Sequence, residues 1–168
     1  MKLMKKQTGF TALELLVVIG IVAILSAIAI PNFFGWMPAK RLQSAAADVQ
    51  SALQTARLAA VKGNICVTVL FDPDNDNYRI FLDHGGSDVS NACNGTLDAD
   101  EPTTKNGQMP SGVHLDLVDQ DTKITFNSRG FPFSTDTSLP TEYSVTMQTE
   151  SLPDKTVELS LTGGTRIN

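Results

Sequence analysis

The first pattern along the chain is a continuous apolar run. From Phe10 to Ile30 there are 21 residues with one formal charge, Glu14. As a helix rising about 1.5 Å per residue the run is roughly 31 Å long, close to a bilayer core of about 30 Å. From Ala39 to Lys62 the pattern changes to a helical stripe. Leu42, Ala45, Val49, Ala52, Leu53, Ala56 and Ala60 recur at steps of three and four, with Lys40, Gln43, Asp48, Gln50 and Gln54 between them. Gly63-Asn64 is a stop signal. Between the two segments, Pro31, Gly35 and Pro38 predict either a kinked or locally melted helix or a plain linker.

After Gly63 the period becomes that of strands. Residues 65–71 and 78–82 flank the turn cluster Asp72-Pro73-Asp74-Asn75-Asp76-Asn77 and predict a hairpin. Strands are expected at 113–118 and 123–127. A second hairpin is expected from 143–149 and 156–162, turning across Glu150–Lys155. Residues 83–112 read as a long connection without structure of its own. The fold class is α+β: a long N-terminal helix, its first half membrane-spanning, packed on an antiparallel sheet. The expected divisions are a leader at 1–9, the spanning helix at 10–31, its amphipathic continuation at 32–63 and a β-rich head at 64–168.

Charge places these segments. Lys2, Lys5 and Lys6 precede the apolar run and no Lys or Arg follows until Lys40, which puts the N-terminus in the cytoplasm and the head outside. Glu14 in hydrocarbon costs on the order of 3 kcal/mol and needs either hydration near the interface or a partner. Gly9 stands before the apolar run, whereas a secretory signal peptide is cut after it, at small residues. A competing Ala27-Ile28-Ala29 site would release the head as a soluble protein, but Glu14 interrupts the apolar region that such a signal requires.

The stretch KKQTGF followed by TALELLVVIGIVAILSAIAIP resembles the class III leader and N-terminal helix of type IV pilins and type II secretion pseudopilins. The resemblance implies cleavage between Gly9 and Phe10 by a prepilin peptidase, methylation of the Phe10 amine, and a role for Glu14 in neutralising the amine of a neighbouring subunit. Ala12-Leu13, where the family more often has Leu-Ile, is a conservative apolar change. The head is similar to the GspH/FimT branch. The quoted features are YRIFLD, a Gly/Asn/Asp loop reaching Asp98 and Glu101-Pro102, ITFNSRGFP at 124–132, and the closing Gly163-Gly164-Thr165-Arg166-Ile167. The resemblance implies a minor pilin of a type IV pilus or a GspH-type pseudopilin, with a DNA-binding minor pilin of DNA uptake as a further alternative. Its partners would be other pilin or pseudopilin subunits, the prepilin peptidase and the inner-membrane assembly platform. A major pilin closes a disulfide near its C-terminus, whereas Cys93 lies 75 residues from the end.

Other chemistry is sparse. Without residues 1–9 the chain loses three of its thirteen basic side chains and keeps all eighteen acidic ones, a net of −8, the wrong sign for coating nucleic acid. The matching C-terminal region offers Arg166 as a nucleic-acid candidate, with Lys123, Arg129 and Lys155 as supporting cations. Cys66 and Cys93, 27 apart, are expected to pair in an oxidising compartment, the alternative being two buried thiols. His84 and His114 show no metal spacing with them. Asp72, Asp74 and Asp76 open like a calcium loop, but Asn77 stands where its glycine belongs. Asp98, Asp100 and Glu101 form a second acidic candidate. No cofactor, nucleophile elbow or phosphate loop is expected.

Overall fold

The computed structural model describes residues 10–86, 90, 92–117, 122–133 and 143–168. Two compact units meet between Met37 and Pro38. Helix α1 covers Ala12–Gly63. In the first unit its Ala12–Ile30 stretch has a mean hydropathy of 2.8 and none of it is buried against the chain itself. A helix satisfies all its own backbone hydrogen bonds, which is the condition for crossing hydrocarbon. Helical backbone continues without a break through residues 31–38, so a locally melted segment is not what these prolines produce. Each proline removes one hydrogen bond while its neighbours persist.

The second unit is built on the amphipathic half of α1. Leu42, Ala45, Ala46, Val49, Ala52, Leu53, Ala56 and Ala60 are all buried. Small side chains on this stripe let the backbone come close to the strands. The strands form two antiparallel sheets rather than the single one expected. Strands β1 (Cys66–Asp72), β2 (Asn77–Asp83), β3 (Thr103–Gln108), β5 (Lys123–Phe126) and β6 (Pro132–Phe133) form a sheet in the order β3-β2-β1-β5-β6. Strands β4 (His114–Asp116), β7 (Tyr143–Thr149), β8 (Leu152–Leu159) and β9 (Thr165–Ile167) form the other, in the order β4-β7-β8-β9.

Both expected hairpins are present. β1 and β2 pair from Cys66 opposite Asp83 to Asp72 opposite Asn77. The second hairpin turns earlier than expected, with Thr149 opposite Leu152, so Leu152 to Lys155 belong to β8. Pro153 falls where the β7–β8 register shifts, a place where its missing N–H is tolerated. The supposed structureless connection contains β3, which was not foreseen. Its sequence TTKNGQ has no apolar alternation because it is an edge strand, held by its ladder to β2. The strand expected at 113–118 is described only to residue 117, and β4 occupies three residues of it.

Every second residue of β1 faces the helix: Val67, Val69 and Phe71 join the core with Ile80, Tyr78, Ile124, Phe126, Val145, Met147, Val157 and Leu159. Tyr78 donates from its hydroxyl to Asp48 Oδ2 at 2.7 Å, and Lys105 Nζ meets Asp48 Oδ1 at 3.1 Å. Gly107 leaves room for the Tyr78 ring, since a Cβ there would overlap it. Burial, then the Asp48 hydrogen bond, pushes the Tyr78 phenol up, while the Tyr78 hydroxyl and then Asp48 push Lys105 up against its partial burial. A raised phenol and a raised ammonium both contribute stability below their unfolded values and lose it as pH climbs through the folded ones. The head is therefore expected to lose stability above about pH 10, and Tyr78→Phe to flatten that loss. Urea unfolding across that range checks it; an unchanged pH slope in Tyr78→Phe would contradict it.

Candidate functional site

The N-terminal site lies in the first unit. Gly9 falls outside the described residues. Phe10 is 85% exposed and precedes the helix, and Glu14 is exposed in its first turn. Thr11 was not anticipated: its Oγ1 accepts from the Glu14 backbone N–H at 3.2 Å and caps the helix. Thr-x-x-Glu was the available signal. The carboxylate of Glu14 thus stands in the first turn of the helix, on the apolar surface formed by Leu13, Leu16, Val17 and Val18, all exposed. Hydrocarbon and neighbouring apolar helices both suit such a surface.

In the head, a disulfide joins Cys66 at the start of β1 to Cys93, with Cα atoms 5.4 Å apart. Around it lies a carboxylate that sequence reasoning passed over. Asp83, fully buried at the end of β2, accepts from Thr68 Oγ1 at 3.0 Å, from Gly95 N at 2.7 Å and from Asn94 N at 3.3 Å. Thr68 in turn bonds Thr125 Oγ1 at 2.8 Å. Lys123 Nζ reaches the Asn94 carbonyl at 3.4 Å. Disulfide and carboxylate together hold residues 92–96 against β1 and β2. This explains why Thr68 and Phe81, on the face away from the helix, are also buried. Cys66→Ser with Cys93→Ser is expected to cost about 3 kcal/mol from loop closure alone. Denaturant unfolding of the oxidised and substituted heads measures it, and equal stability would refute it.

The acidic candidates have structural partners. Glu101, buried, accepts from Gly85 N at 2.8 Å and Asp98 N at 3.1 Å, which spans the loop with one carboxylate. Asp98 keeps one buried oxygen without a hydrogen bond. Asp100 is exposed, its Cβ close to Gly86. Among the described residues no group of three or more His, Cys, Asp and Glu side chains is gathered to hold a metal. Asp72 caps the short turn Pro73–Asn75, and the Asn75 side chain holds its carboxyl below the usual range. Asp76, in the left-handed region, binds His114 Nδ1 at 2.7 Å and Leu115 N at 3.0 Å, tying the β1–β2 turn to β4.

The two glycine motifs of the head come together. Arg57 on α1 donates from Nη1 to the Gly163 carbonyl at 2.8 Å. Gly163 has φ of 80°, and a Cβ on it would lie 2.7 Å from the Gly130 carbonyl oxygen and 2.9 Å from Arg57 Cζ. Gly130 has φ of 78° and lies against Val61 and Arg57. The turn after β5 and the turn before β9 therefore dock on one arginine. Gln50 and Gln54 bind Thr165 at its carbonyl and hydroxyl, fixing β9 to the helix. Arg166 is exposed on β9 opposite Glu158, and Lys155 stands on β8 opposite Met147. Arg129 is exposed on the turn after β5. The candidate cations thus occupy separate elements, with Lys123 already engaged by the 92–96 segment.

Residues 45–163 match the family model described as type II transport protein GspH, and residues 4–30 match the prokaryotic N-terminal methylation motif. A fimbrial protein of Pseudomonas aeruginosa is 43% identical over 77 residues, 46% of this chain and 49% of that protein. The type IV major pilin protein PilA of Myxococcus xanthus is 34% identical over 96 residues, 52% of this chain and 43% of that one. The chain spans about half the length, or less, of these curated relatives. Among solved structures, the type IV minor pilin FimU of Pseudomonas aeruginosa has a TM-score of 0.55 at 16% identity, covering 79% of this chain and 92% of that one. The minor pseudopilin EpsH from the type 2 secretion system of Vibrio cholerae has a TM-score of 0.54 at 12% identity, covering 76% and 96%. At these identities the two structures show a shared fold.

Proposed function

Because the chain belongs to the GspH family of type IV pilin and pseudopilin proteins, we propose that it is a minor pilin, a structural subunit that enters a type IV pilus through its N-terminal helix. The observation that carries this reading is the union in one chain of a methylation motif at 4–30 with a GspH head at 45–163. The chain is inserted in the cytoplasmic membrane with its N-terminus inside and its head in the periplasm. A prepilin peptidase cuts between Gly9 and Phe10, and the Phe10 amine is methylated. The inner-membrane platform then moves the subunit into the filament, where Glu14 pairs with the Phe10 amine of a neighbour. The exposed apolar stretch Ala12–Ile30 supports this. Lipid satisfies the apolar side chains but not the Glu14 carboxylate, which gains a counter-charge among neighbouring subunits. No catalytic role is assigned.

A GspH-type pseudopilin of type II secretion is the second reading, favoured by the family's description and by the EpsH fold. Deleting the protein separates the two: loss of surface filaments supports the pilus, and retention of exported proteins in the periplasm supports secretion. The test of both is the intact mass of the membrane-extracted protein. A chain beginning at N-methylated Phe10 is expected. One beginning at Ile30 or at Met1 would overturn the pilin pathway.

A further inference from the structure

Among the described residues of the head, the exposed large apolar side chains are Leu58, Val61, Phe131, Leu161 and Ile167. Four of them surround the Arg57 junction. Leu58 and Val61 are three apart on α1 and share a face. Val61 touches the Gly130 turn, Phe131 follows that glycine, and Leu161 lies on the turn that ends at Gly163. Residues next along the chain, Asn64, Ile65, Asn127, Ser128 and Phe133, line an open hollow of about 380 Å³ together with the Cys66–Cys93 disulfide.

Charge is arranged unevenly around this surface. Stretches 50–63, 127–133 and 160–165 contain Arg57, Lys62 and Arg129 and no Asp or Glu, in a chain with 18 acidic and 13 basic side chains. Among the described residues, these stretches thus join exposed apolar side chains to cations at one end of an acidic protein. Exposed aromatic, aliphatic and arginine side chains beside a concavity are the composition of an interface centre.

We propose that this end is where the head of the next pilin-type subunit docks, its acidic side chains meeting Lys62 and Arg129 and its apolar side chains covering Leu58, Val61, Phe131 and Leu161. The proposal rests on the filament reading above. Charge complementarity selects the occupant: away from this end the head is acidic, so a subunit of like construction offers the opposite sign. A contact between two unlike patches is heterologous, and it propagates head to tail into an open helix instead of closing a dimer. Duplex DNA fits less well. Arg57 is half-buried and already donates to Gly163, and the remaining cations are separated by apolar side chains. Such a patch neutralises few phosphates.

The test uses the full-length chain in cells that assemble filaments, with a photoreactive amino acid placed at Leu58, Phe131, Leu161 or, as a control, Asp154 on β8. Sheared filaments are first probed for the chain. Capture from Leu58 and Phe131, but not from Asp154, of a chain whose peptides show the methylated N-terminus and apolar helix is expected. Leu58→Asp with Phe131→Asp should lower capture from Leu161 about tenfold while the head unfolds at the same denaturant concentration, both side chains being exposed. A chain absent from filaments would overturn the filament reading and this surface with it. A chain present in filaments whose Leu58 and Phe131 capture no pilin-type subunit, or capture duplex DNA, overturns the docking surface alone.

Discussion

Glu14→Ala is expected to leave membrane insertion and cleavage intact and to lower incorporation into filaments on the order of a hundredfold. The magnitude follows from leaving a neighbour's buried amine without its counter-charge, a loss of about 3 kcal/mol or more. Insertion should if anything become easier, because a carboxylate is removed from the apolar segment. In the proposed pathway cleavage is set by Gly9 and the basic residues before it, so a change at residue 14 is expected to leave it intact. The alternative role for Glu14 is local, as the third residue of a helix capped by Thr11. Thr11→Ala separates the two, since removing the cap costs about 1 kcal/mol of helix stability and leaves the charge in place. If filament yield falls equally in Thr11→Ala and Glu14→Ala, capping accounts for the effect. If Glu14→Gln, which keeps the shape, fails like Glu14→Ala, the charge is responsible. Immunoblots of sheared filaments against membrane fractions give the ratio. Normal incorporation of Glu14→Ala would remove the ion pair from the mechanism.

Gly163→Val is expected to destabilise the head by about 4 kcal/mol or more, combining overpacking with left-handed strain in a β-branched residue. The added Cβ would overlap the Gly130 carbonyl and the Arg57 guanidinium, both held by their own elements, so neither can retreat cheaply. The Arg57 to Gly163 hydrogen bond is lost in the same step. Two neighbouring controls divide the contributions. Gly112 has φ of 80° but open space where its Cβ would stand, so Gly112→Ala measures conformational strain alone, about 1 kcal/mol. At Gly164 the φ lies outside the left-handed region, and an added Cβ would meet only Ser160 Oγ at 3.2 Å, so Gly164→Ala measures a mild crowding and should cost well under Gly163→Val. Urea unfolding of the three variants gives the order. If Gly163→Val costs no more than Gly112→Ala, the junction is not packed as described.

Parts of the site were legible in the residues and parts were not. The leader, Phe10 and Glu14 stand in a local motif whose meaning depends on spacing within one helix. The cysteine pair was legible because two thiols in one chain have one intramolecular solution. Asp83, by contrast, reads as an ordinary strand-end acid. Its burial depends on residues 92–96 folding back over the sheet and presenting backbone N–H groups at Asn94 and Gly95. Arg57 reads as one cation on a helix face. Its role exists because two glycine turns, 33 residues apart, arrive at the same point.

The sequence by itself determined the membrane-length helix, the amphipathic half that follows it and the two hairpins, because burial against one face imposes a period of 3.6 or 2 on the side chains. It could not determine β3, the early start of β8 or the division into two sheets. Those are set by backbone hydrogen bonds, which Thr103–Gln108 can make without any apolar pattern. Nor could it bring the Gly130 and Gly163 turns onto Arg57, since close approach of remote backbones is decided by how whole elements pack. The tertiary structure supplied that meeting point.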